Sequence, residues 1–231
     1  MKRTGGGMRR WFFLFFAAVL CSATTVFSQQ TTIERRYVWE YGERTWSLTH
    51  HFSAFTYRFF SSLPRTLNYM NYGLYACDPR DDEELQSLII ELEALAADAR
   101  LNVWEKLNLI IAFVQSIPYA TEDGEYPRYP VETLVETQKD CEDAAILIAS
   151  LLQRMGFGVV LLAFIEEQHM AVGIRVLPPE GSNPQTYEWD GDIYCFLEPT
   201  STGWKIGEIP EAYVSQPTIV ALQPTFASHG R

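Results

Sequence analysis

The most constraining stretch of this 231-residue chain runs from Asp140 to Ile165. Its first part, DCEDAAILIASLLQRM, has acids in the opening turn followed by a long apolar run, and it reads as a helix stopped by Gly156. The second part, FGVVLLAFI, reads as a buried strand. A second strand is expected over His169–Val176, and one or two more over Tyr187–Leu197 around Asp190 and Gly191. Upstream, residues 36–52 form two aromatic-rich runs about Gly42, Glu43 and Arg44, as in a hairpin. A helical or irregular aromatic stretch continues to Tyr75. Helices are expected from Asp81, with Leu85, Leu88, Ile89, Leu92 and Leu95 on one face, and over Val103–Ile117, ending at Pro118. A polar loop, TEDGEYPRYP, follows and is expected to be exposed. Helices first and an antiparallel sheet second is an α+β layout. No repeat or linker divides residues 29–231, which are read as one domain.

Residues 1–28 have a different character. Lys2, Arg3, Arg9 and Arg10 precede an apolar run from Trp11 to Leu20 and then small residues, the layout of a secretory signal with cleavage after Ser28. The expected location is therefore extracytoplasmic, periplasmic or secreted. Extended through Phe27 the run reaches about 17 residues, near the lower limit for spanning a bilayer, so membrane attachment follows only if the segment is not cleaved. Without these four bases the chain keeps 14 Lys and Arg against 29 acids, a net charge of −15. Such a body repels a phosphate backbone, and nucleic acid is not an expected partner. The remaining cysteines, Cys77, Cys141 and Cys195, are odd in number in a compartment that permits disulfides. Either Cys77 pairs with Cys195 and leaves Cys141 free, or all three are buried small hydrophobes. No CxxC spacing marks a redox pair.

Asp140, at the expected N-cap, can accept a hydrogen bond from the Asp143 amide, placing Cys141 in the first helical turn. Free amides and the helix dipole there favour a thiolate, while Asp140, Glu142 and Asp143 oppose it and Lys139 offsets them in part. Of four histidines, His50 and His51 lie in the hairpin, His229 near the C-terminus, and His169 at a strand end after the polar turn EEQ. A thiol and imidazole in reach of one another form a nucleophile and base. Glu198, ending the strand in YCFLEPT, is the right residue type to orient the ring.

The stretch YPVETLVETQKDCEDAAILIASLLQRMGFGVVLL, then HMAVGI and YCFLEPTSTGWKIGEIP, resembles the transglutaminase-like superfamily. The likeness is greatest to prokaryotic extracytoplasmic transglutaminase-like cysteine proteinases and covers roughly residues 113–210. It implies a papain-like core in which a nucleophile helix packs on an antiparallel sheet, with Cys141 as nucleophile, His169 as base and Glu198 as orienting acid. The implied activity is that of an exported thiol enzyme acting on peptide or side-chain amides through an acyl-enzyme, hydrolytic rather than crosslinking. No cofactor is required, though the likeness allows calcium on Asp140, Glu142 and Asp143, whose hard oxygens suit it. The oxyanion would be held by the Cys141 amide and a second donor, for which Gln115 is the candidate. Trp189 and Trp204 would shield the His169–Glu198 bond or line an acceptor pocket, and Tyr126, Arg128 and Tyr129 would form a substrate-facing lip. Two positions depart from the pattern: Lys139 stands where many relatives carry Gly, and Glu198 where Asp is common. These departures sustain the alternative of a catalytically inactive module that binds a protein or peptide in the cell envelope.

Overall fold

The computed structural model describes residues 32–121, 124–178 and 180–222; residues 1–28, where a secretory signal is expected, and His229 lie outside them. Strands β1 (Thr32–Tyr41) and β2 (Arg44–Ser53) pair antiparallel, with Trp39 opposite Trp46 and Gly42 in the left-handed region at the turn. Helices α1 (Ala54–Ser61), α2 (Tyr72–Ala76), α3 (Asp82–Asp98) and α4 (Val103–Gln115) follow. The expected apolar face of α3 is buried at Leu85, Leu88, Ile89 and Leu92. An Asn102–Glu105 capping box starts α4, each side chain bonding the other residue's amide.

One short helix and α6 then lead into the sheet. Helix α5 (Pro130–Glu136) was not anticipated, because its opening proline resembles the end of a loop; proline at the first helical position instead presets the helical φ. Helix α6 (Cys141–Arg154) is buried from Asp143 to Leu152. It ends as expected at Gly156, whose φ of 89° closes a Schellman motif: Phe157 N donates to Leu152 O and Gly156 N to Gln153 O.

Strands β3 (Gly158–Phe164), β4 (His169–Arg175), β5 (Thr186–Trp189), β6 (Asp192–Leu197) and β7 (Thr218–Ala221) form an antiparallel sheet in the order β5-β6-β4-β3-β7. The protein is therefore mixed α and β, with its helices preceding the main sheet. The four-residue β7, bounded by Pro217, is too short to show an alternation in sequence. Asp190 and Gly191, both at positive φ, make the β5–β6 turn.

The unbroken apolar run of β3 is explained by burial on both faces. Leu161 and Ala163, with Val172, Ile174 and Leu197, join the large core beneath α6, which extends to Tyr37 of the hairpin. Val160, Leu162 and Phe164, on the alternate face, pack with Tyr187, Tyr194 and Phe196 in a second core. Gly173 permits this packing, since a Cβ there would lie 2.7 Å from Val160 Cγ2 and 3.1 Å from Tyr194 Cβ. Among the described residues no helix is long and apolar enough to cross a membrane.

The Cys77–Cys195 bridge is not formed. Cys77 Sγ donates to Gln153 Oε1 on α6 (2.9 Å), whereas Cys195 Sγ faces the Val176 carbonyl beside β4, and all three described cysteines are free thiols. The loop before α5 is also less exposed than expected, with Arg128 buried by ion pairs. Gly173→Ala should destabilise the protein by about 1–3 kcal/mol through overpacking of the second core. Equilibrium urea unfolding checks this, and an unchanged midpoint would contradict the close packing.

Candidate functional site

The chain entering α6 lies beside the chain leaving α4: Lys139 N donates to Pro118 O, and Ala120 N to Lys139 O. This pairing delivers Asp140 to the N-cap in extended conformation, where its carboxylate accepts from Asp143 N (3.1 Å). Asp143 returns a contact to Asp140 N (3.4 Å) and binds Arg128 twice, accepting from its backbone N and from Nη1, both at 2.7 Å. Arg128 also donates through Nε to Glu136 at 2.8 Å. Cys141 is consequently the first residue of a firmly anchored helix, with its sulfur at the mouth of a cleft.

That cleft, of about 470 Å³, also includes His169. Cys141 Sγ lies against the start of β4, 4.0 Å from Gln168 O and in reach of the Met170 amide, on either side of His169. The ring's Nε2 is 3.0 Å from Glu198 Oε2. Burial pushes the Glu198 pKa up, but the bond and charge of His169 and the donors of Thr200 outweigh it, and the net shift is downward. An ionised carboxylate only accepts hydrogen bonds, so Nε2 carries the proton and Nδ1 is left as the ring's acceptor. Glu198 is itself held on its other oxygen by Thr200 N and Oγ1.

The sulfur's surroundings are anionic. Burial, then the charge and hydrogen bond of Glu142, push the Cys141 pKa far above the usual thiol range. The thiol donates to Glu142 Oε2 at 3.2 Å. Burial and neighbouring acids also raise Asp140 and Asp143 to about 7. Lys139 is fully buried and donates Nζ to Thr200 O at 2.8 Å; burial lowers its pKa to about 8 against the pull of Glu198, Asp140 and Asp143.

Cys141, His169 and Glu198 are thus brought together, and several other expected positions are not. Gln115 Nε2 is committed to Glu198 O (2.8 Å) and Trp204 O (3.2 Å), so it braces the backbone at Glu198 and is not a free oxyanion donor. Asp140, Glu142 and Asp143 do not converge on a shared point, because Asp143 is consumed by Arg128 and the cap. Among the described residues no group of acids, His or Cys is arranged to hold a metal. Tyr126 covers the buried Arg65–Glu132 ion pair, accepting from Arg65 at 2.8 Å, and Tyr129 packs on Phe60 and Tyr75. Trp189 ends β5 beside Met70 and β7, and Trp204 lines a groove with Tyr41 and Ile111. Nearness in sequence to Glu198 did not place either indole over its carboxylate.

The shielding role falls instead to Tyr213, whose ring lies over His169 at 4.6 Å and 30°. Leu67, Tyr69, Tyr72, Glu125, Ile165 and Gln168 line the cleft. Of these, only Glu125 was foreshadowed, by its place in the polar loop. The other described histidines lie elsewhere: His50 bonds Glu91 of α3, and His51 faces Glu34 across the hairpin.

Asp143→Ala should cost about 3–5 kcal/mol, since it leaves the buried Arg128 cation without its closest partner; a thermal midpoint within a degree of wild type would refute the anchoring role. Glu142→Gln should speed alkylation of Cys141 near neutral pH. Removing a carboxylate beside sulfur lowers the thiol pKa and raises the thiolate fraction, and an unchanged rate would show that the charge is not felt. Comparison of the chain with protein-family models, curated proteins and solved structures finds no match.

Proposed function

We propose that the protein is an exported thiol hydrolase acting on peptide or side-chain amides through an acyl-enzyme on Cys141. The observation that carries the reading is the His169 Nε2 to Glu198 Oε2 contact of 3.0 Å, which leaves Nδ1 to serve a thiol in the same cleft. The resemblance of residues 113–210 to the transglutaminase-like superfamily, with its papain-like core, supports the reading in the order cysteine, histidine, acid, with Glu198 in place of the commoner Asp. The acidic composition is unsuited to nucleic acid.

In this mechanism the thiol leaves Glu142 and gives its proton to His169 Nδ1. The thiolate attacks the amide carbon, the C–N bond breaks, and the departing amine takes the proton from the imidazolium. Water then gives a proton to His169 and attacks the thioester, releasing the acid and restoring the thiol. Glu198 holds the ring's tautomer and stabilises its charged form. Developing oxyanion charge is met at the N-terminus of α6, where the Cys141 amide has no intrahelical carbonyl to bind. No bound metal or cofactor enters these steps.

One observation favours a second reading, the inactive binding module: burial and Glu142 hold the resting Cys141 protonated. Alkylation by iodoacetamide across pH, in wild type and His169→Ala, separates the two. The hydrolase predicts that His169 takes the thiol proton as sulfur reacts, so that alkylation near neutral pH is about tenfold or more slower in the variant, the effect of a one-unit pKa change. A rate that titrates only above the ordinary thiol range, and is indifferent to His169, would leave the binding module.

A further inference from the structure

The geometry points to a specific substrate class for the Cys141 cleft: a polypeptide segment that presents an apolar side chain next to a lysine or arginine. This inference rests on reading the cleft as the substrate site. Two kinds of observation carry it.

The first is the cleft's apolar build. Its floor is formed by buried Ala163, Met170 and Tyr72, while two aliphatic side chains stand open to solvent at the rim, Leu67 at 64% exposure and Ile165 at 53%. A single exposed aliphatic is ordinary on a protein surface. Two at the rim of one recess of about 470 Å³, above an apolar floor and beside a thiol, form a receptacle sized for a side chain.

The second is the sign of the charge. Glu125 and Glu142 line the recess, and no lysine or arginine does so among the described residues. The carboxylates act on this same volume from several directions. After burial, the groups that raise the buried Tyr72 phenol, which lines the recess, are led by Glu142 and Glu125 and include Asp140. The opposing cations are directed elsewhere, Lys139 to Thr200 O and Arg128 to Asp143 and Glu136. An acidic peptide would meet like charge on entry, whereas a basic one would replace solvent against Glu125, which is exposed and has room for a partner.

The test uses Cys141→Ala protein, so that binding is measured without turnover, and three fluorescein-labelled hexapeptides with one central leucine flanked by arginine, glutamine or glutamate. Fluorescence anisotropy should rank them arginine, glutamine, glutamate, with about a tenfold span between the extremes, the size expected of a few exposed charge contacts. The span should collapse in 1 M salt, where the screening length falls to about 3 Å. Glu125→Gln in the same background should shrink it several-fold, and Leu67→Ser should weaken all three peptides alike. Equal affinities, a span indifferent to Glu125→Gln, or no binding by any of the three would overturn the inference. Wild-type cleavage of the same peptides keeps the two readings distinct. Ranked binding without cleavage supports this substrate class while removing the hydrolase, and cleavage without ranking overturns the substrate class while keeping the hydrolase.

Discussion

Everything at the site hangs on the ion pair between Arg128 and Asp143. Asp143 is fully buried in the first turn of α6, where it both accepts from the arginine and closes the cap with Asp140. A buried carboxylate is tolerated only with such partners. The pair fixes where α6 begins, and with it the position of Cys141 relative to the first residues of β4. It also ties the loop before α5 to the helix, since Arg128 reaches Glu136 through Nε. The apolar length of α6 supplies burial energy, but only this polar anchor defines the end from which the thiol projects.

The same concentration of acids sets the chemical problem of the site. Burial and Glu142 favour the protonated thiol, while the Met170 amide and the helix N-terminus favour the thiolate. Glu198 accepts from the His169 ring and fixes its orientation. Its geometry is secured by three separate elements: Thr200 on the carboxylate, Lys139 on the Thr200 carbonyl, and Gln115 on the Glu198 carbonyl. Lys139 is therefore a brace between the entrance to α6 and the loop that follows Glu198.

How much of this was legible depends on how local the signal is. The α6 to β4 passage could be read directly, because a capped helix, a glycine stop and a doubly buried strand each leave a periodic or compositional mark. Cys141, His169 and Glu198 were legible for the same reason: each begins or ends such an element. Helix α5 was hidden by Pro130, and β7 by its four-residue length. Tyr213 occupies an irregular segment with no periodicity, so nothing in the sequence signals that it covers His169. Trp189 and Trp204 misled because Trp189 ends β5 across the turn from β6 and Trp204 follows Glu198 in irregular chain that lines a different groove. Cys77 and Cys195 misled because parity constrains the number of possible bridges but not the distance between elements.

The proposed chemistry requires His169 to offer Nδ1 to the thiol while Nε2–H is committed to Glu198. With only four histidines in the chain, long-range proton–nitrogen correlation NMR of the imidazoles tests this directly, with His169 assigned by its loss in His169→Ala. The account predicts an Nε2 that is protonated throughout the neutral range and an Nδ1 whose shift responds to Cys141→Ser. A neutral ring protonated on Nδ1 with a bare Nε2, insensitive to the serine substitution, would contradict it.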